Sequence, residues 1–114
     1  SSDVCSSDLT VPAMAQTVSF DITVPGDILS QRAVKADSEQ RFYVTGSSFN
    51  KSGTLRCTSI NRNNNTIRSY TASIRPDKLS GNASYQKTAP SGQYYYMTTS
   101  ASVSNLHVTG RYTP

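Results

Sequence analysis

The 114-residue sequence contains no tryptophan, one histidine and two cysteines, and only 16% of its residues are charged. Each scarcity removes a class of chemistry. Nucleophilic hydrolysis needs a base held beside its nucleophile, and His107 is the sole imidazole. Asp21, Asp27, Asp37, Glu39 and Asp77 are scattered along the chain, unlike the closely placed carboxylates of a glycosidase. One Cys and one His in the folded part cannot complete a zinc site, and no phosphate-cradling glycine loop or calcium loop occurs. The sequence therefore predicts a protein without catalysis, cofactor or metal. Long apolar runs are missing too. No stretch approaches the roughly 18 apolar residues of a membrane-spanning helix, and nowhere do apolar residues recur at helical spacing.

What is abundant is Ser, Thr, Asn and tyrosine, with 7 Tyr in the chain. Residues 16–114 hold all 11 Lys and Arg against five acids, a net charge of +6. That balance favours an anionic partner such as a cell-wall polymer or glycan, set against the simpler role of keeping the chain dissolved. The charges are dispersed and form no run of five, so a nucleic-acid arm is not expected.

The first nine residues have no periodicity and little to bury, and Val4-Cys-Ser-Ser-Asp-Leu9 resembles the translation of a sequencing-adapter oligonucleotide. Thr10-Val-Pro-Ala-Met-Ala15 ends in Ala13-x-Ala15, the small residues that signal peptidase accepts. Residues 1–15 are accordingly expected to be an artefact plus the remnant of a secretory signal, without stable structure. Residues 16–114 are expected to be one secreted domain. Setting Cys5 aside leaves Cys57 with no disulfide partner, so it reads as a small core hydrophobe.

From there the pattern is all β. Thr17-Val-Ser-Phe-Asp-Ile-Thr-Val24 alternates throughout, with Val18, Phe20, Ile22 and Val24 inward, and Pro25-Gly26-Asp27 turns the chain. A weaker strand is expected over residues 31–36, followed by Lys35, Asp37, Glu39 and Arg41 as a solvated edge of alternating charge. Arg41-Phe-Tyr-Val-Thr45 reads as a strand ended by Gly46. Residues 54–60 and 67–74 flank an Asn-rich loop, and a tight turn at Asn63-Asn64 would set Ile60 opposite Ile67 and Cys57 opposite Tyr70. Ser80-Gly81-Asn82 reads as a breaker before a short strand over residues 83–88. The fold class expected is an antiparallel β-sandwich of seven or eight short strands, immunoglobulin-like or on a similar Greek-key plan.

The last twenty residues carry the candidate site. Period two puts Tyr95 and Met97 on one face of a first strand and Leu106 and Val108 on one face of a second, and the two read as a closing hairpin. Tyr94 and Tyr96 would then face outward beside His107, Thr109 and Arg111. Exposed rings with donors alongside suit sugars, peptides or stacked bases, unless another element covers them.

The alternating strand Val18 to Val24, just after the processing site, and the ending Leu106-His-Val-Thr-Gly-Arg-Tyr-Thr-Pro114 resemble uncharacterised small secreted β-rich proteins of Gram-positive bacteria. The resemblance implies an exported sandwich that binds or decorates the cell envelope. Exported β-sandwich bacteriocins share the size and plan, which implies as the alternative a secreted antibacterial protein acting on a competitor's envelope. Neither group carries over a functional residue.

Overall fold

Alternation of apolar and polar residues commits nearly half of the described residues to strands buried on one face. The computed structural model describes residues 16–114, which form β1 (Val18–Val24), β2 (Ala33–Val34), β3 (Arg41–Phe49), β4 (Leu55–Asn61), β5 (Ala72–Ile74), β6 (Ser80–Ser84), β7 (Tyr94–Ala101) and β8 (Leu106–Thr113), without a helix. The adapter-like segment and the Ala13-x-Ala15 signal lie outside the described residues.

The strands make two antiparallel sheets of four, in the orders β1-β8-β3-β6 and β2-β7-β4-β5. Only β4 and β5 follow one another within a sheet; every other connection crosses from one sheet to the other. This is the jelly-roll form of the Greek-key plan, and it makes the expected all-β sandwich. Phe20, Ile22 and Val24 of β1, Phe42 and Val44 of β3, and Leu106, Val108 and Tyr112 of β8 line the inner face of the first sheet. Leu55, Cys57, Ala72, Ile74, Tyr95 and Met97 line that of the second.

Tyrosine fills what aliphatic residues cannot. Phe42, Tyr85, Tyr95 and Tyr112 form a chain of tilted and edge-on rings with centroids 5.6–6.4 Å apart. The phenols need partners, and buried Ser59 supplies them: its Oγ lies 2.7 Å from the Tyr85 hydroxyl and 2.6 Å from that of Tyr112. Tyr95 donates to the Pro90 carbonyl oxygen at 2.9 Å.

Several expectations give way to longer-range interactions. The strand expected over 31–36 shrinks to β2, because Ser30 and Ile28 already bond the edge of β7 through Ser30 N to Met97 O and Thr99 N to Ile28 O, both 2.9 Å. Lys35 is not part of a solvated edge: it is 0% exposed, its ammonium 3.2 Å from Asp37 and 5.2 Å over the Tyr85 ring. Gly46 does not end its strand, since β3 runs on through a bulge between Gly46 and Ser48 to Phe49. Ser80-Gly81-Asn82 is no breaker but the body of β6, paired with Thr45, Val44 and Tyr43.

The Asn63-Asn64 register is also revised. Asn61 Oδ1 accepts from the backbone of Asn63 at 2.7 Å and Asn64 at 2.9 Å, which widens the loop so that Ile60 meets Arg68. A second slip after Ser69 sets Cys57 against Ala72 and Leu55 against Ile74. The two shifts restore the original parity, so Cys57 remains buried as expected, while Tyr70 turns outward and is 58% exposed. Ser69 is buried, and its Oγ accepts from Ser59 N at 2.9 Å. Ser69 also bridges to Tyr85, so this segment ties the two sheets together along one side of the sandwich.

Candidate functional site

The five residues singled out in the closing strands do not meet. β7 and β8 belong to opposite sheets, so the connection between them is an arch across the sandwich and not the hairpin that their spacing suggested. Tyr94 and Tyr96 project from the outer face of one sheet. His107, Thr109 and Arg111 project from the outer face of the other. Local alternation was read correctly on each strand, but it carries no information about which sheet a strand joins.

On the β8 side, His107 Nε2 hydrogen-bonds the Asp21 carboxylate across the β1–β8 pair. Thr109 Oγ1 pairs with Ser48 Oγ at 2.7 Å, and Arg111 lines a shallow cleft with Thr17, Tyr43, Thr45, Ser47 and Thr113. The scattered acids each find a partner of another kind: Asp37 with Lys35, Asp77 with Arg75 at 3.0 Å, and Glu39 with the Tyr43 hydroxyl, which holds that phenol above its usual range. The Asp21–His107 pair lies exposed to solvent, and the neighbouring hydroxyls of Ser48 and Thr109 bond to each other.

The β7 side gathers residues that the sequence did not connect. Tyr94 is 48% exposed and Tyr96 half-buried. β2 and β4 flank β7, and each delivers an arginine. Arg32, just before β2, lays its guanidinium over the Tyr94 ring with Cζ 5.2 Å from the centroid. Arg62, just after β4, is fixed by its own backbone nitrogen, which donates to Tyr94 O at 2.8 Å, and by Asn61, whose Nδ2 donates to Gln93 Oε1 at 2.8 Å. Arg32, Arg62, Tyr96, Leu29 and Ser30 line a cleft of about 270 Å³.

Ile60 sits opposite Tyr96 on this same outer face and is buried although it lies outside the main core cluster, giving the cleft an apolar neighbour. Among the described residues neither Arg32 nor Arg62 has a carboxylate within salt-bridge reach, and no acid lines the cleft. The site is thus cationic and aromatic, with hydrogen-bond donors in excess.

Arg62 continues the outward parity of Arg56 and Thr58 and was open to recognition on that ground. Arg32 was not, because only the pairing of β2 with β7 brings it to Tyr94. Among the described residues no group of three or more His, Cys, Asp and Glu converges as metal ligands, and no helix is long and apolar enough to cross a membrane. No protein-family model, curated protein or solved structure matches the chain.

Proposed function

We propose that this protein is a secreted, non-catalytic β-sandwich that binds or decorates the bacterial cell envelope through the outer face of β7. The observation that carries the reading is the cleft lined by Arg32, Arg62 and Tyr96, with Tyr94 beneath the Arg32 guanidinium and, among the described residues, no carboxylate within salt-bridge reach of either arginine. An envelope rich in anionic polymer and glycan supplies both the charge and the hydroxyls that such a surface takes. Export is supported by Ala13-x-Ala15. A non-catalytic role is supported by the only histidine being held by Asp21 on an exposed sheet face.

Sedimentation of the protein with isolated cell walls tests the proposal. Wild-type protein is expected to pellet with walls and to be released as salt is raised, since exposed charge interactions are screened. Protein that remains in the supernatant at low salt would overturn it.

One feature favours the second reading, an antibacterial protein acting on a competitor's envelope. Ile28 and Val103 are both exposed at one end of the sandwich, where they line a cleft with Val24 and Pro25. An apolar tip of this kind suits contact with a lipid surface. Growth inhibition of other bacteria by the purified protein separates this reading from simple decoration.

A further inference from the structure

We infer that the Arg32–Arg62 cleft is a subsite for a phosphodiester-linked polymer, so that the envelope component recognised is a chain of repeating phosphates and not the neutral glycan. The inference rests on the envelope-binding reading and specifies its ligand. Tyr94 would be the natural platform for a sugar or a base, but its ring already carries the Arg32 guanidinium, 5.2 Å from the centroid. The ring therefore acts as a support. A guanidinium lying on an aromatic face is held in orientation while its N–H donors stay free at the edge.

Arg62 enters from the opposite neighbour of β7, so the two cations flank that strand. A phosphodiester has two unesterified oxygens, and a guanidinium presents paired N–H groups that match them. Ser30 does not compete for the ligand: its Oγ donates to Gln31 O and accepts from Met97 N, both at 2.8 Å.

A third cation turns a single subsite into a track. Arg56 is exposed on the same outer face of β4, opposite Ser100 of β7. At about 3.3 Å per residue it lies roughly 20 Å along the strand from Arg62. Between them the face presents first Thr58 and Thr98, whose half-buried hydroxyls contact Thr71 Oγ1 at 3.3 Å and Thr58 O at 3.5 Å and keep acceptor positions for a polyol linker, and then Ile60 with Tyr96. Spaced cations joined by hydroxyls fit a ligand whose charge repeats along a chain better than they fit a single small anion.

The test pairs two ligands and one conservative variant, all with the full chain. Wild-type protein is measured against Gram-positive wall sacculi that carry poly(glycerol phosphate), before and after cold hydrofluoric acid strips the phosphodiester polymer, and against immobilised poly(glycerol phosphate). Binding to sacculi is expected to fall about tenfold on stripping. The double variant Arg32→Lys, Arg62→Lys keeps the charge and loses the paired donors, and is expected to weaken binding to the immobilised polymer by about tenfold at an unchanged thermal midpoint.

Equal binding to stripped and untreated sacculi would overturn the inference and leave the envelope reading standing. Binding to the immobilised polymer but to neither kind of sacculus would overturn the envelope reading instead. Competition by polyglutamate as strong as that by soluble poly(glycerol phosphate) would make the site a general polyanion surface and overturn the phosphate assignment. Stronger competition by single-stranded DNA would assign the track to nucleic acid, overturning it as well.

Discussion

Ser59 shows what one small polar residue does in a core of this composition. A serine hydroxyl has one donor and two acceptor positions, and here it takes the hydroxyls of Tyr85 and Tyr112 from the opposite side of the sandwich. Without it two phenols would be buried without partners. Burial raises the pKa of Tyr85, and raises that of Tyr112 well above its ordinary value, with Ser59 working against the shift in both. Burial likewise pushes the Cys57 thiol up to about 12, which keeps it protonated and inert.

The pH dependence of stability follows from the phenols. In the unfolded chain they ionise near pH 10, while in the fold they hold their protons to higher pH, so above about pH 10 the unfolded state binds fewer protons. Their contribution is complete below that pH and is lost as pH rises. Alkaline titration is therefore expected to show the phenolate absorbance of Tyr85, Tyr95 and Tyr112 appearing together with loss of the near-ultraviolet tertiary signal. Ionisation of all the tyrosines with that signal retained would show that the three rings are accessible in the fold.

Among the elements, β3 and β8 meet at a pair of facing glycines. Gly46 lies opposite Gly110, and the Phe20 ring of β1 crowds the same point. A Cβ on Gly110 would stand 2.7 Å from Phe20 Cζ and 3.0 Å from Gly46 Cα, and closer still to the Thr45 carbonyl oxygen. Two of these three neighbours are backbone and cannot step aside. Gly110→Ala is expected to cost about 3 kcal/mol, a loss of roughly 10 °C or more in thermal midpoint, by the usual scale for overpacking in a small domain. An unchanged midpoint in thermal denaturation would mean that the two strands are not in this register.

The same pair explains a limit of sequence reading at this scale. Glycine after a strand ordinarily signals its end, and Gly46 was read so; only the opposing Gly110 and the bulge let β3 continue. Alternation was a sound guide for β1, whose inward residues were all identified, because one local period sufficed. The register of β4 and β5 was not legible, since Asn61 caps its own loop through its side chain and the chain slips again after Ser69. Lys35 escaped for a related reason. A lysine among alternating charges reads as solvated until the fold brings Tyr85 and Asp37 around it.

At the scale of the whole molecule, composition and strand spacing were enough for the sandwich, but the partition of strands between sheets was not, and the candidate site depended on that partition. The outcome is a protein with two unlike outer faces. One carries Tyr94, Tyr96, Arg32 and Arg62; the other carries His107 bonded to Asp21, with Thr109 and Arg111.

If one face alone makes the contact, substitutions on the two must separate cleanly. Tyr94→Ala with Tyr96→Ala removes both rings and the support beneath Arg32, and is expected to cost on the order of 2 kcal/mol in binding to isolated walls, or roughly 30-fold in affinity. His107→Ala with Arg111→Ala removes a comparable number of polar groups from the opposite sheet and is expected to leave wall affinity within about twofold, although it takes away a positive charge. Measured at two salt concentrations, the first variant should lose most of the salt-sensitive binding and the second should keep it. A loss shared equally by both variants would mean that net charge, and not the β7 face, holds the protein to the wall.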